Sequence, residues 1–405
     1  MKKELDPKVD SRRGLLKWLS RVTNSGQYYQ EIDGLRCLAI GVVLTAHVWG
    51  NWTNYTSTDY AGNISFVDSM YSKATLHGKL GVQLFFIISG FILSLPWTRY
   101  FLAAGKPIDI RDFYLRRLTR LEPPYIIIML IYFVGLCLVG RLSFHENWGN
   151  LLASIFYVHN FVYSGGSVIN MAAWSLEIEV QFYILAPFIA MAIYRLSAKA
   201  RHILLLVLIL AFAASQQLFP TLPMSILYYG HFFIAGFVLS EAFLTGGDFW
   251  RERSIFYDVL GLCGYILAFF IVPAHDFSFV GQLSYVFGLS TLFVCGFKGR
   301  LFSAFLRIPL VSIVGGMCYT IYLLHGRILS FSYAYILKDL ELTGDFLTDS
   351  LILNFTLIPL ILFVSAFFFV LIERPCMNRD WPRKLRRKVG LYRKKSSRVH
   401  FRNTK

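Results

Sequence analysis

Charged side chains are scarce in this chain of 405 residues, since Asp, Glu, Lys and Arg make up only 16% of it, against about 25% in soluble domains. Hydrophobic residues make up 56%, with 37 Phe and 23 Tyr among them. A chain this apolar does not stay solvated as a disordered polymer or as an ordinary soluble enzyme. The composition therefore indicates that the lipid bilayer is its solvent.

Signatures of several metal-binding and enzyme classes are missing too. The six cysteines are scattered, and no two have CxxC or zinc-ligand spacing, so no metal site is expected. No histidine is followed by an aspartate five positions on, which excludes the HxxxxD motif of glycerolipid acyltransferases. His145-Glu146 does not continue into HExxH, and no GxSxG nucleophile motif occurs.

Long apolar runs fill most of the chain. Because a spanning helix needs about 20 residues, they predict an all-α integral membrane protein, a bundle of about ten transmembrane helices. The runs lie at residues 35–50, 80–97, 123–140, 176–194, 202–219, 226–244, 256–273, 279–297, 311–333 and 351–372. An eleventh run, Leu151 to Tyr163, is shorter, and its length is typical of an interfacial or re-entrant segment.

The distribution of basic residues favours ten spans with both termini cytoplasmic, because short cytoplasmic loops are rich in Lys and Arg. In this arrangement the inner loops hold the basic groups at residues 99–120, 195–201, 251–253 and 298–307. The segment 374–405 carries 13 basic residues against one acid, Asp380. Beside a hydrophobic span, such a segment is typical of a cytoplasmic anchor at anionic headgroups rather than of nucleic-acid binding.

The chain is therefore predicted to be a multi-pass protein of the cell membrane, inner or plasma, with three parts. These are a cytoplasmic N-terminal segment (1–30), a membrane domain (31–375) and a basic cytoplasmic tail (376–405).

Two polar residues lie in the first apolar run. Arg36 and His47 are 11 residues apart, which is about three helical turns plus 20°, so they share one helix face and lie about 16 Å apart along the axis. Polar residues inside spans are candidates for function because they are costly in lipid. The alternative is a snorkelling arginine and an interfacial histidine.

A second polar signal opens the fourth run, where Glu177, Glu179 and Gln181 enter the bilayer. Glu177 and Gln181 share a face as i and i+4 neighbours, whereas Glu179 points away from both. Capping of a helix N-terminus explains Ser175 and Glu177. It explains Glu179 less well, because Glu179 lies deeper.

Short motifs elsewhere complete a family pattern. They are Gly81 to Phe91, Arg116 to Tyr125, Tyr319 to His325 and Glu373-Arg374-Pro375, which accompany Arg36, His47 and the Trp174 to Tyr183 segment. In this order, from about Tyr28 to Pro375, the chain resembles the acyltransferase-3 family of multi-pass membrane O-acyltransferases.

The resemblance implies an enzyme that moves an acyl group, most often acetyl, from a cytoplasmic acyl-CoA to a hydroxyl, usually of a cell-envelope saccharide or glycolipid. Residue by residue it implies a catalytic set of Arg36, His47 and Glu179, a donor-binding set of Arg116, Arg117 and Arg120, and support from Ser89, Trp174, Tyr322 and His325. Gln83 and Val180 depart from the family pattern, where acids are frequent. The three donor-binding arginines also have a simpler interpretation as positive-inside anchors.

Acyl transfer to a hydroxyl needs a base with a pKa near neutrality, which suits histidine. Depth along the predicted spans places His47 and Glu179 level with each other near the outer boundary. We therefore expect them to pair, with His325 as the rival partner of His47.

The alternative function is a transporter or flippase of a small molecule or lipid-linked sugar, which would depend on ion gradients and need no acyl donor. A non-catalytic scaffold is disfavoured, because it has no use for Arg36 and His47 in lipid.

Overall fold

Helices form the regular structure of this chain. The computed structural model describes residues 15–22, 28–52, 72–73, 77–163, 165–219, 224–272, 278–340, 342–378 and 381–382. Within these residues there is no strand, only one isolated backbone bridge between Ser254 and Gly299. The predicted all-α class is confirmed for this part of the chain. Residues 1–14 and the basic tail beyond residue 382 lie outside it.

The described residues contain sixteen α-helices in chain order. They are α1 Leu15–Leu19, α2 Gln30–Trp52, α3 Leu80–Leu102, α4 Ile110–Leu138, α5 Phe144–Ile155, α6 His159–Val162, α7 Ala173–Tyr194, α8 Ala198–Leu218, α9 Ile226–Thr245, α10 Ile255–Ile266, α11 Phe279–Lys298, α12 Arg300–Leu306, α13 Pro309–Gly316, α14 Cys318–Phe331, α15 Phe346–Phe368 and α16 Arg374–Cys376. Turns of π-helix extend α10, α14 and α15 at Leu267–Ile271, Ser332–Ile336 and Phe369–Glu373.

Eight helices in the described residues are long and apolar enough to cross a membrane. They are α2, α3, α4, α7, α8, α9, α11 and the continuous helix Phe346–Cys376. A ninth span results if α13 and the helix Cys318–Ile336 count as one, although a bend of 70° separates them. The remaining predicted run forms the shorter apolar helix Ile255–Ile271. The count of ten and the cytoplasmic location of the termini stay predictions.

The bend between α13 and α14 accompanies a close backbone contact with α2. A Cβ atom added to Gly315 would lie 1.6 Å from the carbonyl oxygen of Asp33, and one added to Gly34 would lie 2.4 Å from that of Leu306. Only glycine permits this approach. The first turns of α2 are thereby seated against α12 and α13, and α14 runs on from the bend beside the rest of α2.

Glycines also join α3 to α9 in the centre of the bundle. A Cβ atom at Gly90 would lie 2.1 Å from the carbonyl oxygen of Phe233, and one at Gly236 would lie 2.4 Å from that of Ile87. Small residues are the usual means of close helix packing in lipid. This contact fixes α3, which carries Ser89, in the centre of the bundle.

The apolar run 151–163 is divided between α5 and α6, and neither helix is long enough to cross a bilayer. α5 runs antiparallel to α4, since Phe144 packs on Phe133 and the Ser154 carbonyl accepts a hydrogen bond from Tyr125. Tyr125 lies about 20 Å along α4 from its Leu138 end. The chain therefore returns alongside α4 and turns back at Tyr157, whose φ is +57°.

Candidate active site

Two histidines face each other between α2 and α14. Nδ1 of His47 lies 3.1 Å from Nε2 of His325, and the ring centroids are 5.0 Å apart. Nδ1 of His325 lies 2.7 Å from the carbonyl oxygen of Tyr322. A carbonyl only accepts, so Nδ1 of His325 carries the hydrogen and its Nε2 is the acceptor in the neutral ring. In the neutral pair His47 then donates from Nδ1, and its Nε2 carries the basic lone pair.

The Tyr322 side chain continues the site toward α7. Its ring centroid is 5.5 Å from that of His325, and its hydroxyl lies 2.7 Å from the hydroxyl of Ser175. The Tyr322 phenol is also within electrostatic range of Glu179 on the next turn of α7. Tyr322 thus connects the histidine pair to the carboxylate.

Glu179 joins α3 to α7. The hydroxyls of Ser89 and Tyr183 both donate to its Oε1 oxygen. Glu179 makes no other hydrogen bond among the described residues. The predicted pairing of Glu179 with His47 is therefore wrong, and the partner of His47 is His325. The physical reason is that Ser89 and Tyr183 already satisfy the carboxylate, and Tyr322 lies between it and the imidazoles.

Arg36 opens a cluster of charges at the other end of the same face of α2. Its guanidinium lies 2.6 Å from Oδ1 of Asp33, and that of Arg21 lies 3.2 Å from the same oxygen. On the opposite side, Arg120 lies 4.0 Å from Glu373, which accepts a 2.5 Å hydrogen bond from Thr320. We call Arg21, Arg36, Arg117 and Arg120, with Asp33 and Glu373, the arginine cluster.

The cluster holds more positive charge than its two acids neutralise. Burial, with the positive charges of Arg120 and Arg36, lowers the pKa of Arg21 to about 10 against the opposing effect of Asp33. Four buried polar atoms there, Nε of Arg21, Nε of Arg120, Oδ2 of Asp33 and Oε1 of Glu373, have no hydrogen-bond partner in the described residues. An anion held in this cluster would supply partners to the two Nε atoms.

The three arginines of the basic motif separate in the structure. Arg117 turns inward, with its guanidinium 3.6 Å from the centroid of Phe113 and 5.9 Å from that of Tyr183. Arg120 faces Glu373, as above. Arg116 is exposed. Arg117 and Arg36 are both within electrostatic range of Tyr183, and Arg120 is within range of Arg21, which shares Asp33 with Arg36.

These contacts form one polar column through an apolar bundle. From the arginine cluster it passes by Tyr183 to Glu179 and Ser89, and then by Tyr322 to the histidine pair. Its two ends are Arg36 and His47, which lie about 16 Å apart on one face of α2. The column thus places a cluster of cations and a basic imidazole at two depths of one bundle.

Comparison with known proteins identifies the family. The family model described as an acyltransferase domain matches residues 29–374. The chain belongs to the acyltransferase-3 family. Among curated proteins it is 26% identical over 343 residues to O-acetyltransferase OatA of Staphylococcus aureus (strain NCTC 8325 / PS 47), covering 78% of this chain and 53% of that protein. It is 32% identical over 227 residues to the putative peptidoglycan O-acetyltransferase YrhL of Bacillus subtilis (strain 168), covering 51% of this chain and 31% of that protein.

This acyltransferase-3 chain therefore spans about half the length of OatA and less of YrhL. No solved structure matches it at a significant level. In the described residues no group of three or more His, Cys, Asp or Glu side chains is placed to hold a metal ion.

Sequence reasoning on this acyltransferase-3 chain gave no site role to four residues of the column, Arg21, Asp33, Tyr183 and Glu373, although Tyr183 and Glu373 lie in segments of the family pattern. Local spacing held a signal for two of them, since Asp33 precedes Arg36 by three residues and Tyr183 follows Glu179 by four. Arg21 and Glu373 reach the cluster from opposite ends of the chain. No local pattern predicts that contact.

Other predicted residues have different roles from those expected. Trp174 lies outside the column, with its ring centroid 5.4 Å from that of Tyr229. Ser175 and Glu177 do not cap α7, because α7 begins at Ala173 and has no side-chain cap. Ser175 binds Tyr322 instead, and Glu177 accepts a 2.8 Å hydrogen bond from the backbone of Asn160 in the returning segment.

Proposed function

We propose that this chain is a membrane O-acyltransferase that moves an acyl group, acetyl in the first instance, from cytoplasmic acyl-CoA to a hydroxyl of an extracytoplasmic saccharide or glycolipid. The observation that carries the proposal is the polar column, which joins an arginine cluster to a histidine pair inside an apolar bundle. Membership of the acyltransferase-3 family supports it. The relatives named for O-acetyl transfer, one of them for peptidoglycan, suggest the acceptor class.

The donor end of the proposal is the arginine cluster. Coenzyme A carries phosphates, and guanidinium groups bind phosphate through paired hydrogen bonds. Arg117 and Arg120 hold the donor in this proposal, while Asp33 fixes Arg36 and Arg21. The unpartnered Nε atoms of Arg21 and Arg120 are donors that a bound anion would use.

The acceptor end is the histidine pair. Nε2 of His47 takes the proton of the acceptor hydroxyl, and that oxygen attacks the thioester carbonyl. The carbon–sulfur bond breaks as the new ester forms, and the proton passes from the imidazolium to the leaving thiolate. His325 fixes the tautomer of His47 and shares the positive charge of the imidazolium, as an orienting group does in other acyl-transfer sites.

Glu179 acts between these ends as a positioning residue in this proposal. Through Ser89 it ties α3 to α7 beside the path that the acyl group follows, and Tyr183 on its own helix holds the same carboxylate oxygen. Removing its charge is expected to lower kcat by disordering the path, with less effect on the donor KM.

The test is transfer of label from acetyl-CoA carrying a labelled acetyl group. Membranes with this protein are expected to gain alkali-labile label in glycans or glycolipids, and membranes with the His47→Ala variant are expected to gain none although the protein inserts. His145→Ala, an exposed histidine on α5, is the matched control and is expected to keep full activity. A fully active His47→Ala variant, or substrate movement that follows an ion gradient without any acyl donor, would reject the proposal in favour of a transporter.

A further inference from the structure

A pocket of about 410 Å³ lies where the C-terminal ends of α3 and α7 meet the start of α4. Its volume is in the range of small-molecule sites. Trp97, Tyr100 and Phe101 on α3 supply an aromatic wall. The rest of the lining is Pro107, Ile108 and Ile110 around the start of α4, Met191 on α7, and Arg195, the residue that follows α7. This pocket lies outside the polar column.

The charge in this pocket is positive and unpaired. Arg195 is exposed, and among the described residues no carboxylate or hydrogen-bond partner holds its guanidinium. Trp97 is 3% exposed, and its buried indole N–H has no acceptor in the same part of the chain. A buried donor without a partner is costly and unusual. The indole N–H is enclosed by the protein and does not face the pocket, so the unpaired guanidinium is the feature that suits a ligand, one that brings an anion.

Two aromatic side chains separate the pocket from the donor end of the column. The ring of Trp97 is 5.9 Å from that of Phe113, over which the Arg117 guanidinium lies at 3.6 Å. Ile110 of the pocket and Arg117 are seven residues apart on α4, about 10 Å along the helix. A nucleoside is about that long. A ligand with its planar base in the pocket could therefore place its pyrophosphate near Arg117.

We propose that this pocket binds the adenosine 3′-phosphate end of acyl-CoA, with the base against the aromatic wall and the 3′-phosphate at Arg195. The inference rests on the proposed function. Every base has a face that stacks on aromatic side chains, and an arginine fork suits a phosphate. The arginine cluster then needs to hold only the pyrophosphate of acyl-CoA and the start of its acyl-bearing chain.

The test is binding of radiolabelled adenosine 3′,5′-bisphosphate to the purified full-length protein in detergent, with adenosine 5′-monophosphate as the comparison. Loss of one charge-assisted phosphate contact is expected to raise the Kd of the bisphosphate about tenfold in Arg195→Gln. The Kd of the monophosphate, which lacks the 3′-phosphate, is expected to stay as in the wild type. Tyr100→Ala is expected to weaken both nucleotides to a similar degree, because stacking does not distinguish them.

Arg251→Gln is the matched control, because Arg251 is an exposed arginine paired with Asp248 at 2.7 Å, and it is expected to leave both Kd values unchanged. Equal affinity of the wild type and Arg195→Gln for the bisphosphate would overturn the proposal. So would loss of copurifying phosphatidylglycerol in Arg195→Gln with nucleotide binding intact, which would assign the pocket to a lipid headgroup. Bisphosphate binding through Arg195 in a protein that transfers no acetyl from acetyl-CoA would keep the nucleotide site and reject the proposed function.

Discussion

Replacing His325 by Phe tests how the histidine pair works. The change removes the acceptor that lies 3.1 Å from Nδ1 of His47 while keeping a planar ring in a buried position. A hydrogen bond between neutral groups contributes about 0.5–1.5 kcal/mol, and one to a charged group about 1.5–3 kcal/mol. His47 is neutral before it takes a proton and charged afterwards, so the bond gains about 1.4 kcal/mol on the way to the transition state. That difference corresponds to about a tenfold lower kcat.

The assay is initial-rate acetyl transfer at saturating donor, followed by the donor KM, which is expected to stay within about twofold because His325 does not touch the arginine cluster. His325→Gln keeps an acceptor and is expected to recover part of the lost kcat. Detergent-stable, monodisperse protein in both variants serves as the folding check. Full kcat in His325→Phe, together with an inactive His47→Ala, would show that the base works without its neighbour and refute this account of the pair.

Three further predictions concern the donor, the packing and the orientation. Arg117→Gln is expected to raise the donor KM about tenfold, or about 1.4 kcal/mol, whereas Arg116→Gln, at an exposed position, is expected to leave it unchanged in the same titration. Gly315→Ala forces a Cβ atom into backbone 1.6 Å away and is expected to abolish stable insertion in a detergent-extraction assay, whereas Gly41→Ala, with nothing within 4 Å, is expected to behave as the wild type. Single cysteines placed within 298–307 are expected to react with an impermeant thiol reagent only after the membrane is opened, and labelling in sealed cells would reverse the predicted orientation.

Periodicity within one helix was enough to predict the common face of Arg36 and His47, because helix geometry fixes it from spacing alone. The partner of His47 depended on contacts between helices. Depth along the predicted spans left Glu179 and His325 as candidate partners of His47. In the structure the Glu179 carboxylate binds Ser89, a residue on another helix, and His325 is the partner. Single-helix patterns carry no information about such occupancy.

The basic motif of Arg116, Arg117 and Arg120 also shows that sequence alone does not tell which side of a helix faces inward. Arg116 and Arg117 are adjacent in sequence and identical in chemistry, yet one is exposed and the other lies against Phe113. Their directions differ by about 100° around α4, and only the position of the neighbouring helices decides which direction is inward. The number of spans depends on a feature of the same kind. The bend after Gly315, which divides one predicted span, lies at a contact with Asp33, far away in sequence.

The returning segment formed by α5 and α6 bears on how the protein is assembled. α5, a helix of 12 residues that carries Asn147 and Asn150, is too short to cross a bilayer alone, and its amide side chains are costly in lipid. Its anchors are Tyr125 on α4 and Glu177 on α7, and α7 is synthesised after it. We therefore expect the segment to dock only after α7 has been inserted, when the Asn160 backbone N–H can bind the Glu177 carboxylate. Assembly of this region would then end with a local docking step after the spans are in place.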